Sequence, residues 1–278
     1  VAISAVPATC TTEGKTEGKK CSVCEKVLEE QEVVPVLATI AKIGDTPYES
    51  LAAAVAAAKA GDTITLVADV AEGEGIILNK SVTIDLGGKT YTVTKNPAGS
   101  TGTKSQAFQL LQGSGNVTIR NGKLSSNSAE IKMLIQNYCN LTLTDVEVDG
   151  TNAAVLYAVS NNSGNVLING STSIKVSGAN IALDSCQFST YAIPTVTIYT
   201  TGEIGTIELT GGKLNVTNGK LSKITKDTGY NEGDSKVSGG SSTEKIEEEY
   251  LADGYHSHKA ADSDVYKVEK HTEVAIPA

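Results

Sequence analysis

Short apolar segments that alternate with polar residues recur along most of this chain. In each of them an apolar residue stands at every second position, which is the period of a strand with one buried face. The four clearest segments, SVTIDL, NVTIRN, NLTLTD and NVLING, begin at Ser81, Asn116, Asn140 and Asn165. Shorter apolar runs lie between them at 107–112, 133–137 and 154–159. The pattern predicts a protein built from many short strands.

The spacing of these segments indicates a structural repeat. Asn116, Asn140 and Asn165 are separated by 24 and 25 residues, and each interval holds about three short apolar runs. Further copies are TIELTGGKLNV, from Thr206, and the shorter KVSGGSS, from Lys236. A repeat of this length cannot bury its own apolar face, so successive repeats are expected to stack at a strand spacing of ~4.8 Å.

Stacking would place equivalent residues of successive repeats beside each other. We therefore expect Asn116, Asn140 and Asn165 to form a ladder of side-chain amide hydrogen bonds at one corner. The apolar residues that follow them should lie inside: Val117, Leu141 and Val166. An antiparallel sandwich also consists of short strands and turns, and it is the alternative architecture. The equal register of the asparagines and of the Gly-rich turns favours the stack.

One helix is predicted at residues 47–60, within the segment TPYESLAAAVAAAKAGD. Thr46 and Glu49 have the spacing of a capping box. Pro47 suits the first helical position, and Gly61 suits the C-terminal stop. Because the rest of the helix is mostly Ala, it should pack closely against the neighbouring structure.

Composition and charge exclude two classes of function. The 278 residues contain 23 Lys and Arg against 32 Asp and Glu, and the formal net charge is −9. Since phosphate contacts need clustered basic residues, no nucleic-acid partner is expected. No stretch approaches the apolar length of a membrane span, so no membrane insertion is expected in this segment.

Two segments carry a resemblance to known families. SLAAAVAAAKAGDTITLVADV resembles the opening of right-handed parallel β-helices of the pectin-lyase-like class, in which an amphipathic helix caps the first coil. Together with VSGGSSTEKIEEEYLADGY, it also resembles a repeat of large surface proteins of gut-dwelling Gram-positive bacteria. The resemblance covers about Lys42 to Glu269. It implies a single-stranded right-handed parallel β-helix with an N-terminal capping helix, located outside the cell on the bacterial surface.

We divide the chain into three parts on this basis. Residues 1–40 are predicted to form a small Cys-containing β module, and residues 41–269 the β-helix. Residues 270–278 are predicted to be a linker or the start of a next repeat, because VAIPA at 274–278 nearly repeats VAISA at 1–5. The chain would then be one unit of an array, with neighbouring units of the same protein as partners.

The expected function is that of a non-catalytic extracellular module, structural or adhesive, that binds glycans or host proteins. A divergent polysaccharide lyase or glycoside hydrolase of the β-helix class is the alternative. Asp85 beside Arg120 is the candidate acid–base pair, but we interpret it as a surface ion pair because no second carboxylate stacks beside it. Tyr191 and Tyr199 are the candidate sugar-binding residues, and packing within their own loop is the alternative role.

The N-terminal cysteines suggest a metal site. Cys21-x-x-Cys24 predicts a zinc-knuckle turn, and Cys10 supplies a third thiolate. The surface-protein repeats that this chain resembles carry a His before the first Cys, which implies His271, in KHTEV, as the fourth ligand, handed from one unit to the next. Zinc is therefore the candidate cofactor. A disulfide between two of the thiols and plain free thiols are the alternatives.

The remaining cysteines and histidines have simpler interpretations. Cys139 and Cys186 stand in strand context and are predicted to be buried and unpaired. His256 and His258, in YHSH, are either a metal pair or, as we favour, two histidines that face solvent.

Overall fold

The fold is known from a computed structural model. It describes residues 1–100, 102–187, 191–227, 234–259, 261 and 263–271 of the chain, so the VAIPA segment lies outside the described residues. Strands contain 54% of these described residues and helices 4%, so the protein is of the all-β class, as the alternating pattern predicts. Among the described residues, no helix is long and apolar enough to cross a membrane.

The first forty residues form a small unit of short strands: β1 (Ala2–Ile3), β2 (Gly14–Lys15), β3 (Gly18–Lys20), β4 (Val27–Glu29) and β5 (Val33–Val34). β1, β3 and β4 form an antiparallel sheet, and β2 pairs antiparallel with β5. Val23, Leu28 and Val33 are exposed, and the buried apolar core of the described chain begins only at Ala41. The unit therefore has little apolar core of its own.

A hairpin and a short helix begin the main body. β6 (Ala41–Ile43) pairs antiparallel with β7 (Thr46–Tyr48), and α1 follows at Leu51–Ala57. The helix is thus shorter than the predicted 47–60. Its N-cap is Ser50, whose Oγ accepts a hydrogen bond from the N–H of Ala53. The predicted capping box is wrong because Thr46–Tyr48 pairs with β6 as a strand.

The strands that follow run through the main body in chain order. They are β8 (Thr63–Leu66), β9 (Val70–Glu74), β10 (Ile76–Leu78), β11 (Val82–Lys95), β12 (Gln106–Leu110), β13 (Asn116–Ser126), β14 (Met133–Asn137), β15 (Asn140–Gly150), β16 (Tyr157–Asn162), β17 (Asn165–Asn169), β18 (Ser173–Val176), β19 (Ile181–Cys186), β20 (Thr195–Ile204), β21 (Ile207–Leu209), β22 (Lys213–Leu221), β23 (Ile224–Lys226), β24 (Ser235–Val237) and β25 (Ser241–Ser242). A 3-10 turn at Glu248–Tyr250 leads to the last hairpin, β26 (Tyr255–Lys259) and β27 (Tyr266–Lys270).

Two sheets stack these strands in the order in which the chain visits them. In the described residues, the seven-stranded sheet has the order β10-β12-β14-β16-β19-β21-β23, and all its pairs are parallel. The other sheet, which we call the large sheet, runs β7-β6-β8-β11-β13-β15-β17-β20-β22-β25-β27-β26. Its pairs are parallel from β8 to β25 and antiparallel at both ends. Parallel pairing through the main body excludes the antiparallel sandwich.

The asparagine ladder forms as predicted at the start of the large-sheet strands. Asn116 lies beside Asn140, which lies beside Asn165. Nδ2 of Asn140 donates to Oδ1 of Asn116, and Nδ2 of Asn165 donates to Oδ1 of Asn140, both at 2.9 Å. The apolar residues that follow are buried, as expected: Val117, Leu141 and Val166.

A second asparagine pair, which the sequence analysis missed, lies inside the main body. Asn137 and Asn161 are fully buried at equivalent positions of β14 and β16. Nδ2 of Asn137 donates to Oδ1 of Asn161 and to the carbonyl of Cys139, each at 2.9 Å. Nδ2 of Asn161 donates to the carbonyl of Gly164, also at 2.9 Å. The pair therefore satisfies backbone groups at the corner that leads into the large sheet.

Residues with a left-handed backbone make the next corner of the stack. Asn121 (φ 57°), Asp145 (φ 52°) and Gly170 (φ 61°) hold this position in successive repeats. Asn and Asp tolerate positive φ better than other residues with side chains. Gly170 is also required by space, since a Cβ there would lie 2.3 Å from Oδ1 of Asp145. That oxygen is held in place because it accepts a hydrogen bond from the N–H of Ser171 at 2.8 Å.

The structure corrects the predicted register after Asn165. The segment from Thr206 was predicted to be the next copy of the repeat after the one that begins at Asn165. Instead β20 pairs with β17, which places Val196 beside Val166, and β22 pairs with β20. Glu208, in β21, belongs to the seven-stranded sheet. TVTIYT alternates just as NVTIRN does, but Thr195 replaces the asparagine that marks the other repeats.

Candidate functional site

A polar groove lies on the outer face of the large sheet, where β11, β13 and β15 run side by side. Its volume is about 510 Å³. Most of its side chains alternate along the strands with the buried Tyr91, Leu124 and Val148 and point outward, but Thr92 and Ser126 are themselves buried. They carry hydroxyl, amide, ammonium and carboxylate groups, and include Thr90, Thr92, Lys123, Ser125, Asn127 and Asp149.

The charged side chains in and beside the groove are paired with one another. Nζ of Lys123 lies 3.0 Å from Oε1 of Glu147 and 2.5 Å from Oδ2 of Asp149. The hydrogen bond to Asp149 is the main cause that raises the pKa of Lys123. Burial alone would raise the pKa of Glu147. Hydrogen bonds from Lys123 and Lys175 outweigh that effect, so the pKa of Glu147 is lowered overall. Since these pKa values move away from neutrality, the groove offers fixed charges rather than groups that exchange protons at pH 7.

Asp85 and Arg120 are adjacent, as predicted, on β11 and β13. Nε of Arg120 donates to Oδ2 of Asp85 at 2.9 Å, and Nδ2 of Asn121 and the N–H of Gly87 donate to the same carboxylate. Burial raises the pKa of Asp85, but hydrogen bonds from Gly87, Asn121 and Arg120 outweigh it and lower the pKa. Asp85 is therefore held ionised at a corner, which suits an ion pair and not a proton donor.

Arg120→Ala is expected to lower the free energy of unfolding by less than about 1 kcal/mol, because its side chain is partly exposed and such pairs contribute little. Urea unfolding of the variant measures this directly. A loss of more than about 2 kcal/mol would contradict the assignment. So would a polysaccharide-cleaving activity of the parent chain that the substitution abolishes.

An acidic pair that the sequence analysis missed lies on the seven-stranded sheet. Asp184 of β19 stands beside Glu208 of β21, and Asp184 is only 8% exposed. Oδ2 of Asp184 accepts a long hydrogen bond from Oγ of Ser160 at 3.4 Å, and Oδ1 accepts one from Oγ1 of Thr210 at 3.5 Å. The sequence did carry a signal that could have located Asp184. The similar tetrapeptides AVSN (158–161) and ALDS (182–185) place Ser160 and Asp184 at equivalent positions of neighbouring strands.

Burial and like charge perturb the protonation of this pair. Burial first, and then repulsion from Glu208, raises the pKa of Asp184 to about 7, although the two hydroxyl groups partly oppose the shift. Burial and the nearby Asp227 raise the pKa of Glu208. A carboxyl group that titrates near neutrality beside a second carboxylate has the protonation behaviour of an acid–base pair.

The candidate residues Tyr191 and Tyr199 lie at different places. Tyr191 borders a pocket of about 180 Å³ at the asparagine-ladder corner, where its ring meets Tyr138 edge-on at 6.4 Å. Tyr199, in β20, is 45% exposed, and its hydroxyl accepts a hydrogen bond from Nδ2 of Asn169 at 3.0 Å. Asn169, which bonds the Tyr199 hydroxyl, is four residues, or roughly 13 Å, along its strand from Asn165 at that corner. The role of Tyr191 and Tyr199 as sugar-binding residues stays a prediction.

Two of the three N-terminal cysteines form the predicted turn. Sγ of Cys21 accepts hydrogen bonds from the N–H groups of Val23 and Cys24, both at 3.5 Å. These bonds, that of Cys24 first, lower the pKa of Cys21. Sγ of Cys10 instead donates to the carbonyl of Ala38 at 3.6 Å. All five cysteines of the chain are free thiols in the structure.

His271 lies with other histidines and not with the cysteines. Its ring stacks on His256, with centroids 4.5 Å apart. In the described part of the chain, no group of three or more His, Cys, Asp or Glu side chains is placed to hold a metal ion. Cys10, Cys21, Cys24 and His271 are not brought together within these residues, and a zinc site shared with a next unit stays a prediction.

The two cysteines in strands differ in exposure. Cys139 is buried, as predicted, and burial raises the pKa of its thiol to about 12. Cys186 is only half-buried, so its predicted place in the core is wrong. It is the last residue of β19, where the chain leaves the sheet.

Comparisons of the chain with protein-family models, with curated proteins and with solved structures found no match.

Proposed function

We propose that the main body is a right-handed parallel β-helix capped by α1. The parallel strands follow each other in chain order in both sheets, which supports a coil that advances by one strand spacing per repeat. Leu51, Ala54 and Val55 of α1 are buried. Nζ of Lys80, which follows β10, donates to the carbonyl of Ala58 at 2.9 Å just beyond the helix. These contacts at the first strands of the stack support the capping role.

The function that we propose for this scaffold is non-catalytic binding of glycans outside a bacterial cell. The observation that carries it is the groove of about 510 Å³ on the large sheet, lined by hydroxyl and amide groups. Sugars present many hydroxyl groups, and neutral side chains that both donate and accept can bind them. Lys123 is already neutralised by Glu147 and Asp149, so the groove suits neutral glycans better than acidic ones.

The cellular setting is part of the same proposal. The resemblance of Lys42 to Glu269 to repeats of bacterial surface proteins supports a structural or adhesive role at the cell surface. Host surface proteins and neighbouring units of the same protein would then be further partners. The rigid parallel stack fits such a role, because it can hold a binding face away from the cell wall.

Asn127→Trp is expected to abolish glycan binding, because the indole fills the groove from an exposed position. The matched control is Thr217→Trp, which adds the same ring at an exposed site of the large sheet outside the groove. Both variants and the parent chain are applied to an array of neutral and acidic plant and host glycans. Binding by the parent and by Thr217→Trp, but not by Asn127→Trp, supports the proposal. Absence of binding by the parent, or equal binding by all three, overturns it.

A second candidate function is hydrolysis of a polysaccharide, and the Asp184–Glu208 pair is the observation that favours it. Carboxyl groups on adjacent strands, one of them with its pKa raised to about 7, could act as acid and base on a glycosidic bond. A reducing-sugar screen on the same glycans tests this function. If the parent chain releases sugars while Asp184→Asn and Glu208→Gln do not, the protein hydrolyses polysaccharides and the non-catalytic proposal is wrong.

A further inference from the structure

A second cavity lies further along the large sheet. Its volume is about 380 Å³, and it is formed where β18, β20, β22 and β25 end. Its polar lining includes Lys175, Glu203, Lys220, Ser222 and Thr243. Since β18 pairs with β15, this cavity begins where the groove of about 510 Å³ ends.

One row of polar side chains joins the groove to the second cavity. From β13 to β25 the pairing of the strands brings these residues side by side: Lys123, Glu147, Ser173, Glu203, Lys220 and Ser241. The step from β18 to β20 follows from the pairing of Ile174 with Ile204, one residue further along each strand. In every strand the residue after the row is buried, so the row itself faces outward.

The row is long enough for an extended ligand. Together with β11, which forms the near side of the groove, it crosses seven strands of the large sheet. At ~4.8 Å for each step between strands, the two cavities span roughly 29 Å along the axis of the stack. A chain that lies along this axis can contact both cavities at once, whereas a single sugar can occupy only one.

The charges along the row are balanced. It contains two Lys and two Glu, and its Lys side chains are paired. Nζ of Lys123 lies 3.0 Å from Oε1 of Glu147, and Nζ of Lys220 lies 3.9 Å from Oε1 of Glu203. Lys175, from the neighbouring row, lies 3.1 Å from the other oxygen of Glu147. A long charged chain would meet repulsion as well as attraction here, but sugar hydroxyl groups can donate to the carboxylates and accept from the ammonium groups.

We propose that the groove and the second cavity form one binding trough, and that its ligand is a linear, uncharged polysaccharide that lies along the axis of the stack. This inference rests on the proposed glycan-binding function and names the ligand of the same site. The trough binds a stretch of several sugar units and not a single terminal sugar. The unbroken outward row between the two cavities is the observation that carries the inference.

The length of the ligand tests whether the two cavities act together. Uncharged xylo-, manno- and cello-oligosaccharides, from the disaccharide to the octasaccharide, are titrated into the full chain by isothermal titration calorimetry. Linking two binding events in one ligand can raise affinity by about 10²- to 10⁴-fold. We therefore expect the affinity of at least one series to rise by about tenfold or more between its shortest member and the octasaccharide. Oligogalacturonides, which carry one carboxylate per sugar, should bind more weakly at every length.

Thr243→Trp blocks the second cavity alone. Thr243 is exposed at the rim of this cavity, so the indole fills it from outside and leaves the groove intact. The variant should bind the trisaccharide as the parent does, but it should lose the gain of about tenfold or more for the octasaccharide. Thr217→Trp is the matched control, because it adds the same ring to β22 outside both cavities. It should keep the gain.

Protection of lysines from acetylation gives a second measurement on the parent chain, which decides the question if Thr243→Trp does not fold. The octasaccharide should protect Lys220, in the second cavity, and the trisaccharide should not. Lys236 is the control, because its side chain is also exposed but lies outside both cavities. Mass spectrometry measures acetylation at both positions.

The outcomes separate this inference from the function on which it rests. If the parent chain binds no glycan at all, the glycan-binding function is wrong, and the trough with it. If the parent binds glycans but affinity does not rise with length, or Lys220 stays unprotected, only the trough is wrong. An equal gain in Thr243→Trp has the same meaning. Tighter binding of the oligogalacturonides would overturn the uncharged class of ligand.

Discussion

Asp184→Asn is expected to raise the free energy of unfolding at pH 8 by on the order of 3–4 kcal/mol and to change it little near pH 4. Burial and the charge of Glu208 raise the pKa of Asp184 from 3.8 to about 7 in the folded protein. The folded state therefore holds this proton more tightly than the unfolded state does. The resulting stability is fully present below pH 4 and is lost as the pH rises through about 7. Asn mimics the protonated form, so the variant escapes this loss.

Urea unfolding of both proteins between pH 4 and pH 8 measures the difference. Asp85→Asn is the matched control, and its effect on the free energy of unfolding should have the opposite sign. The reason is that hydrogen bonds lower the pKa of Asp85 overall. Its ionised form stabilises the fold at neutral pH, and this contribution is lost as the pH falls through the lowered pKa. Asp85→Asn should therefore destabilise the protein at pH 8. A pH-independent difference for Asp184→Asn would contradict the assigned pKa.

Asn137→Ala is expected to lower the free energy of unfolding by about 2–4 kcal/mol. The substitution removes the donor to the carbonyl of Cys139 and leaves Oδ1 of Asn161 without its partner in a fully buried site. It also removes the acceptor of the Cys139 N–H, which donates to Oδ1 of Asn137 at 3.2 Å. Water cannot replace these bonds without entering the core.

The exposed ladder provides the control for this prediction. Asn140→Ala also removes two amide hydrogen bonds between neighbouring strands, but water can replace both of them at the surface. We expect it to lower the free energy of unfolding by less than about 1 kcal/mol. Thermal or urea unfolding of the two variants compares them directly. Equal losses would mean that burial is not what makes the inner asparagine pair important.

Local pattern was sufficient to predict most of the stack. The period of two identified the strands, and the recurring asparagine set the register from Asn116 to Asn165 because the side chains at that corner bond to each other. The predicted register was wrong at β20. Thr195 takes the asparagine position there, so the similar run from Thr206 was mistaken for the next repeat. The helix start failed because Thr46–Tyr48 gains a strand partner that no local propensity reveals.

The candidate site was less predictable, since it depends on which strands become neighbours. Asp85 and Arg120 were paired correctly because both belong to the regular repeats. Asp184 and Glu208 are 24 residues apart, but the wrong register assigned Glu208 to the other sheet and hid the pair. His271 was predicted as the zinc ligand for the cysteines of a next unit, and that role stays a prediction. Within this chain the hairpin places its ring on His256.

The reversed strands at both ends of the large sheet limit how copies of this molecule can join. A stack that ended in unpaired parallel strands would offer each new copy the same edge, and growth could continue without limit as a fibre. Here one outermost strand is the three-residue β7, whose Pro47 has no N–H to donate. The other is β26, which lies in a hairpin that turns back on the stack. Neither outermost strand of the large sheet therefore offers a further copy the parallel edge on which the stack is built.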